Sequence, residues 1–161
     1  MSSLGSAPLP PLAPDDHVLG SGCDEPPLVV YADYECPYCA ALEQRLTASG
    51  AIWVFRHFPV RSKHPRAWAA ACAAEAAGLQ GHFAQMHAAL YADQARLEDP
   101  HLWERARALG LDVERFDADR RSEAVLARVR RDFESGVRAG VVTTPTLFEH
   151  GTLRAGAPAD T

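Results

Sequence analysis

Apolar positions along the chain change period three times, and the changes mark out its elements. "PLVVYADY" (27–34) is dense in β-branched and aromatic residues behind Pro26 and Pro27, which predicts a strand. "CPYCAALEQRLTASG" (36–50) shifts to helical spacing, with Pro37 suited to a first turn, where its missing N–H is harmless, and Gly50 suited to the end. "AIWVFRHFPV" (51–60) predicts a second strand, stopped by Pro59. Strand, helix and strand within about 35 residues have the size of a parallel β-α-β crossover.

Residues 64–138 read as helical. An alanine-rich segment closes at Gly78, and the next carries Phe83, Met86, Leu90 and Tyr91 at helical spacing. A third opens with Asp99 as cap and Pro100 just inside, and stops at Gly110; "LDVERFDAD" is a short turn or helix. In the last helix Leu126, Val129, Phe133 and Val137 form one apolar stripe, with arginines and acids opposite as a solvated face. "VVTTPTLFEHGTLRAG" (141–156) then gives a strand after Pro145, a turn near Gly151 and a short return strand. The order is β-α-β, a helical block, then a β-hairpin: one α/β domain spanning 17–161, with a helical insertion at about 64–138 and a flexible arm at 1–16.

Composition narrows the partners. The chain has 161 residues, 47% of them hydrophobic, and a net charge of −5, so it suits a soluble domain with a real core and argues against nucleic acid or an anionic membrane surface as partner. No apolar run approaches the roughly 20 residues that span a bilayer. The start, "MSSLGSAPLPPLAPDD", has no Lys or Arg and is broken by Pro8, Pro10, Pro11 and Pro14, unlike a secretory leader, so a cytoplasmic location is expected. In that compartment thiols stay reduced, and a structural disulfide is disfavoured.

The chemistry concentrates at Cys36-Pro37-Tyr38-Cys39. Cys36 falls at a helix start, where unpaired amides, those of Tyr38 and Cys39 in particular, and the helix dipole favour a thiolate. Cys39, one turn inward and less exposed, is placed to resolve a mixed disulfide. A Cys-x-x-Cys beside a βαβ pattern is the signature of a thioredoxin-like redox site. Half of a zinc site is the competing reading, but no second Cys-x-x-Cys is present, and His82 and His87 lie in a helix assigned to packing, so no metal is assigned. Thr144-Pro145 opens the late strand. Thioredoxin-like folds need a proline there in the cis form, opposite the dithiol; this predicts a cis Pro145 in contact with Cys36 and leaves the Thr144 backbone to pair with an extended substrate segment.

Several stretches in order, "DHVLG" (16–20), "YADYECPYC" (31–39), "FRHFPV" (55–60), "AAEAAGLQGHFAQMHAALY" (73–91), "RVRRDFESGVRAGV" (128–141) and "TPTLF" (144–148), resemble the DsbA-like thioredoxin-fold oxidoreductases, especially the bacterial branch lacking an export signal. The resemblance covers about residues 16 to 156. It implies a thioredoxin-like fold with a helical insertion between the β-α-β unit and the C-terminal hairpin. It also implies thiol–disulfide exchange through Cys36 as nucleophile and Cys39 as resolving thiol, with Pro37, Tyr38, Thr144 and Pro145 at the substrate and no cofactor. The implied partners are protein or peptide thiols and disulfides, or glutathione and other small thiols, with the chain a monomer or weak homodimer.

Three departures qualify the resemblance. The glutamate that relatives often carry six residues before the first cysteine is Val30 here, and Asp33 and Glu35 are not placed by sequence at Cys39. The dipeptide is Pro-Tyr, as in glutaredoxins, which predicts a potential near about −200 to −230 mV and not the roughly −120 mV of DsbA. The final helix usual in relatives does not follow the hairpin in this sequence, so one sheet flank is expected to be bare, covered by another subunit, or completed by a longer chain. Of the other candidates, Cys72 reads as a core thiol, Cys23 as an incidental one in a Gly-rich loop, and His57 as a packed residue and not a proton donor. The alternative function is a non-catalytic thioredoxin-fold binding module, or a metal-binding protein using the same cysteines.

Overall fold

Alternation along the central strands gives the sheet two buried faces, and this decides where everything else packs. The computed structural model describes residue 9 and residues 11–21 and 28–155; Cys23 lies outside them. The elements are β1 (His17–Gly20), β2 (Leu28–Ala32), α1 (Pro37–Ser49), β3 (Ile52–His57), α2 (Ala67–Leu79), α3 (Phe83–Ala92), α4 (Asp99–Ala108), α5 (Val113–Asp119), α6 (Glu123–Arg138), β4 (Thr146–Glu149) and β5 (Thr152–Ala155). Among the described residues the sheet runs β1-β3-β2-β4-β5, with β2 and β3 parallel and the other pairs antiparallel. This is the thioredoxin-like α/β fold, with α2 to α6 entering between the crossover unit and the hairpin.

Val30, Trp53, Phe55 and Leu147 face the larger core with Leu42 and Leu46 of α1 and the alanines of α2. Val29, Tyr31, Val54 and Phe148 face a second core closed by Phe58, Ala139 and Val141, with Leu9 and Phe133 packed against it. Small alanine side chains on α2 let neighbouring helices approach closely, so nearly the whole length of α2 is buried. Residues near the start of the chain contribute to the second face: Asp16 pairs with Arg56 at 3.0 Å and Asp15 with Arg131 at 2.7 Å.

Several sequence readings need revision. First, β1 exists: "HVLG" pairs antiparallel with β3 from His17↔Phe55 to Gly20↔Ile52, although four residues with no clear alternation gave no strand signal. Gly20 closes it at φ +98, where an added Cβ would lie 2.0 Å from the Ala51 carbonyl oxygen. Second, helix ends shift: α2 runs through Gly78 to Leu79, and Glu98, not Asp99, caps α4. Third, the inward face of α6 is Val125, Val129, Asp132, Ser135 and Gly136, while Val137 is half exposed.

Polar residues face inward on α6 because the sheet supplies partners. The Asp132 carboxylate accepts the His57 amide at 3.1 Å, and the Ser135 and Tyr31 hydroxyls pair at 2.8 Å. Arg128 is not on a solvated face; it lies near Glu75 at 3.7 Å and Asp132 at 3.4 Å. Glu75 also pairs with His17 at 2.5 Å and His57 at 3.2 Å, which ties β1, β3 and α2 together. Those two histidines hold the Glu75 carboxyl far below the ordinary carboxylate range against the opposing effect of burial.

Gly136 sets how near α6 comes to the sheet. A Cβ there would stand 2.8 Å from the Phe58 ring and 2.9 Å from the Tyr31 ring, both buried. Gly136→Ala therefore overpacks the second core and destabilises the fold by about 1–3 kcal/mol. The check is a lower urea midpoint with an unchanged slope; an unaltered midpoint contradicts the close approach.

Candidate active site

The site is built where β2 hands over to α1. Cys36 is the residue before the helix, extended at φ −78°, ψ 119°, and Pro37 takes the first helical position. Proline suits that place because its missing N–H is one of the amides with no intrahelical acceptor. No side chain caps this end. The Cys39 and Tyr38 amides instead favour an anion at the Cys36 sulfur.

These contacts set the electrostatics. The Cys39 thiol, donating to Cys36, is the strongest influence and brings the Cys36 thiol down to about 6; Thr144 and the two amides assist, and burial opposes. Cys39 moves the opposite way. Burial, together with the neighbouring Cys36, pushes its thiol far above the ordinary range. Both are free thiols.

Both sulfurs are shielded from solvent, Cys36 at 3% exposure and Cys39 at 2%, with Cys39 the more deeply buried of the two. The segment before β4 lies against the nucleophile candidate, with the Cys36 sulfur 3.6 Å from the Thr144 carbonyl oxygen. The Thr144–Pro145 peptide bond is cis. On the rim, Tyr38 is 67% exposed and Val142 86%, two apolar groups on the segments that carry Cys36 and Thr144.

The acidic residues near the dithiol have structural tasks. Asp33 accepts from the Glu35 amide at 2.7 Å, the Val60 amide at 2.8 Å and the His64 ring at 2.9 Å, so its carboxylate pins the loop. Glu35 binds the Arg66 guanidinium at 3.1 Å. Val30 is a core residue. His57 is fully buried on Glu75 and takes a packing role.

Sequence reasoning missed the part of the site's surroundings that comes from the helical insertion. Tyr34, two residues before Cys36, is buried and bonds through its hydroxyl to His87 at 2.8 Å, whose other nitrogen meets Glu43 at 2.8 Å. Tyr91 donates to the Asp33 carbonyl at 3.3 Å. "MHAALY" offered only a helical period, although polar His87 on an inward face was a visible signal. Among the described residues, one group could hold a metal: His17, His57 and Glu75, with ligand atoms within 4.8 Å of one another. The cysteines are not in it, and its atoms already pair with each other.

Comparison with known proteins adds the family. A family model described as Thioredoxin matches residues 12–159. The Na(+)/H(+) antiporter NhaA 1 of Mycobacterium sp. (strain KMS) is 40% identical over 155 residues, covering 91% of this chain and 25% of that protein. The chain thus spans about a quarter of the length of the curated relatives it matches. Among solved structures, a thioredoxin-like oxidoreductase from Silicibacter pomeroyi DSS-3 aligns with TM-score 0.75 and 28% identity, over 89% of this chain and 85% of that one. The thiol-disulfide exchange protein alpha-DsbA2 from Wolbachia pipientis aligns with TM-score 0.74 and 21% identity, over 88% and 80%. With the family model covering nearly the whole chain, the chain belongs to the thioredoxin family, and it shares its fold, with five helices set between β3 and β4, with these two structures.

Proposed function

We propose that this chain is a thiol–disulfide oxidoreductase acting through Cys36 and Cys39. The observation that carries the reading is the placement of two free thiols at the start of α1, with the Cys36 sulfur 3.6 Å from the Thr144 carbonyl oxygen; the same surroundings lower Cys36 to about 6 and raise Cys39 by burial. Cys36 is then largely ionised at neutral pH while Cys39 keeps its proton. The Cys36 thiolate attacks one sulfur of a substrate disulfide; a Cys36–substrate bond forms, and the substrate's second sulfur leaves as a thiolate. Cys39 then attacks the Cys36 sulfur, its proton passing to the departing sulfur. The Cys36–Cys39 disulfide forms, and the dithiol has lost two electrons to the substrate. Run backward, the same steps oxidise a substrate dithiol.

Pro37 and Tyr38 beside the sulfur, with Thr144 and Pro145 opposite, form the proposed substrate contact. The exposed apolar Tyr38 and Val142 support protein or peptide substrates, with small thiols such as glutathione as the reductant or oxidant. The likeness to a quarter of each antiporter supports one wider reading, in which this exchange domain serves a sodium–proton antiporter's thiols. Its test is trapping: a Cys39→Ser protein should hold the antiporter as a mixed disulfide through Cys36.

Iodoacetamide labelling of the reduced protein should show a Cys36 rate that rises with a midpoint near pH 6, the value to which its neighbours bring it, and no second step below the ordinary thiol range from Cys39. The same shift enters stability. The Cys36 thiol is lower in the folded chain than in the unfolded one, so the reduced protein should gain stability relative to Cys36→Ala as pH rises from about 6 to about 9. That gain is complete above the unfolded value and lost as pH falls through the folded one.

Cys36→Ser should abolish both insulin reduction and oxidation of a dithiol peptide, while Cys39→Ser should retain mixed-disulfide formation. Activity unchanged by Cys36→Ser would falsify the enzyme reading and favour a binding module. Equilibration with glutathione should return a potential of about −200 to −230 mV, and a value above about −150 mV contradicts the weaker thiolate stabilisation expected of Pro-Tyr.

A further inference from the structure

One side chain from the helical insertion reaches the backbone that carries the nucleophile. Gln94, in the turn between α3 and α4, directs its amide nitrogen at two carbonyls, 2.9 Å from that of Tyr34 and 2.9 Å from that of Cys36. Only the NH₂ end of a glutamine has two hydrogens for two acceptors, so the contact fixes the orientation of the amide. The carbonyls belong to residues on either side of Glu35, so a single planar group spans the turn that presents the sulfur. Cys36 has the extended conformation of a residue preceding a helix, at φ −78°, ψ 119°, a geometry that a bridge across residues 34–36 holds in place.

Gln94 is itself anchored. Its backbone carbonyl accepts from Arg66 at 3.1 Å, and Arg66 also donates to the Ala95 carbonyl at 2.9 Å and to Glu98 at 2.9 Å. The same Arg66 binds Glu35 through its amide at 2.9 Å and its Nε at 3.1 Å. The circuit closes: residues 34–36 hold the insertion through Gln94, and the insertion holds residue 35 through Arg66. A carbonyl that accepts two donors also presents less negative charge to its surroundings, and the Cys36 carbonyl accepts both Gln94 and the Ala40 amide, at 3.2 Å. Both effects favour an anion at the Cys36 sulfur.

We infer that Gln94 is a positioning residue for the dithiol, through which the helical insertion sets the readiness of Cys36 to ionise. This rests on the exchange reading above. It assigns the insertion a part in the chemistry besides covering the sheet.

The test is the pH profile of iodoacetamide labelling at Cys36, with the glutathione equilibrium measured beside it, in Gln94→Met, Gln94→Glu and Gln94→Asn. Methionine keeps the length and loses both donors. Its midpoint should rise by about one pH unit, which makes labelling at mildly acidic pH about tenfold slower. The equilibrium should move toward the disulfide form, because the reduced state loses stabilised thiolate. Glutamate places oxygen against two carbonyl oxygens and should shift the profile further in the same direction. Asparagine, a methylene shorter, reaches one carbonyl at most and should fall between methionine and the native chain; it also remains readable if the other two variants do not fold. Arg96→Ala, an exposed change in the same turn, should leave the profile where it is. If folded Gln94→Met or Gln94→Asn gives the native midpoint and equilibrium, the inference is overturned even though the enzyme works. If native Cys36 itself titrates like a free cysteine, or if Cys36→Ser keeps full activity, the exchange reading fails, an outcome separate from any result with Gln94.

Discussion

A sulfur anion at the first turn of a helix is the condition on which this site depends, and donors around Cys36 supply it against burial. The competition has a clear winner. Removing Cys36 from water works against ionisation, yet the Cys39 thiol, Thr144 and the Cys39 and Tyr38 amides together hold the group at about 6. Cys39 is more deeply buried, and burial together with the neighbouring Cys36 sends its thiol up. Two thiols one helical turn apart thus differ in acidity because Cys36 accepts from the Cys39 thiol, with amides assisting, while deeper burial and that same contact hold the proton on Cys39.

Such an arrangement requires a turn that does not move, and the surrounding charges serve that end. Asp33 gathers two backbone amides and the His64 ring, and Glu35 is held by Arg66 from the start of α2. These carboxylates sit one and three residues from Cys36, where unpaired negative charge would oppose a thiolate; paired, they give rigidity at small electrostatic penalty. Farther in, Glu75 collects His17 and His57, and Asp132 collects the His57 amide and Arg128. Strand β3, which pairs in parallel with the strand leading to Cys36, is therefore tied to α2, to α6 and to the segment before β2.

What the sequence disclosed divides along the range of the interactions. The β-α-β unit, Pro37 at the helix start, Gly50 at its end and the late hairpin were legible because each depends on neighbours in the chain. The Cys-x-x-Cys and the Thr-Pro element were legible as candidate chemistry for the same reason. β1 was not, because its four residues become a strand only through β3, more than thirty positions away. Nor was the inward face of α6, which an apolar stripe placed near Leu126 and Val137: Asp132, Ser135 and Gly136 point inward because His57, Tyr31, Phe58 and Arg128 complement them there. Periodicity assumes that buried means apolar, and it fails where partners distant in sequence satisfy a polar group.

In the proposed exchange, the balance that ionises Cys36 also sets how strongly the dithiol oxidises. Whatever stabilises the thiolate stabilises the reduced protein, and a dithiol with a favoured reduced form is the stronger oxidant. Reactive thiols of this fold run from about 3.5 in DsbA to about 7 in thioredoxin. The value of about 6 for Cys36 lies nearer the second, and no charged or imidazole side chain occupies the two positions between the cysteines. Stabilisation here comes from a neighbouring thiol and from backbone amides, which are neutral donors. Neutral donors lower a thiol less than a nearby cation does, so the proposed exchange is a moderate one, with electrons given or taken according to the thiol pool it meets.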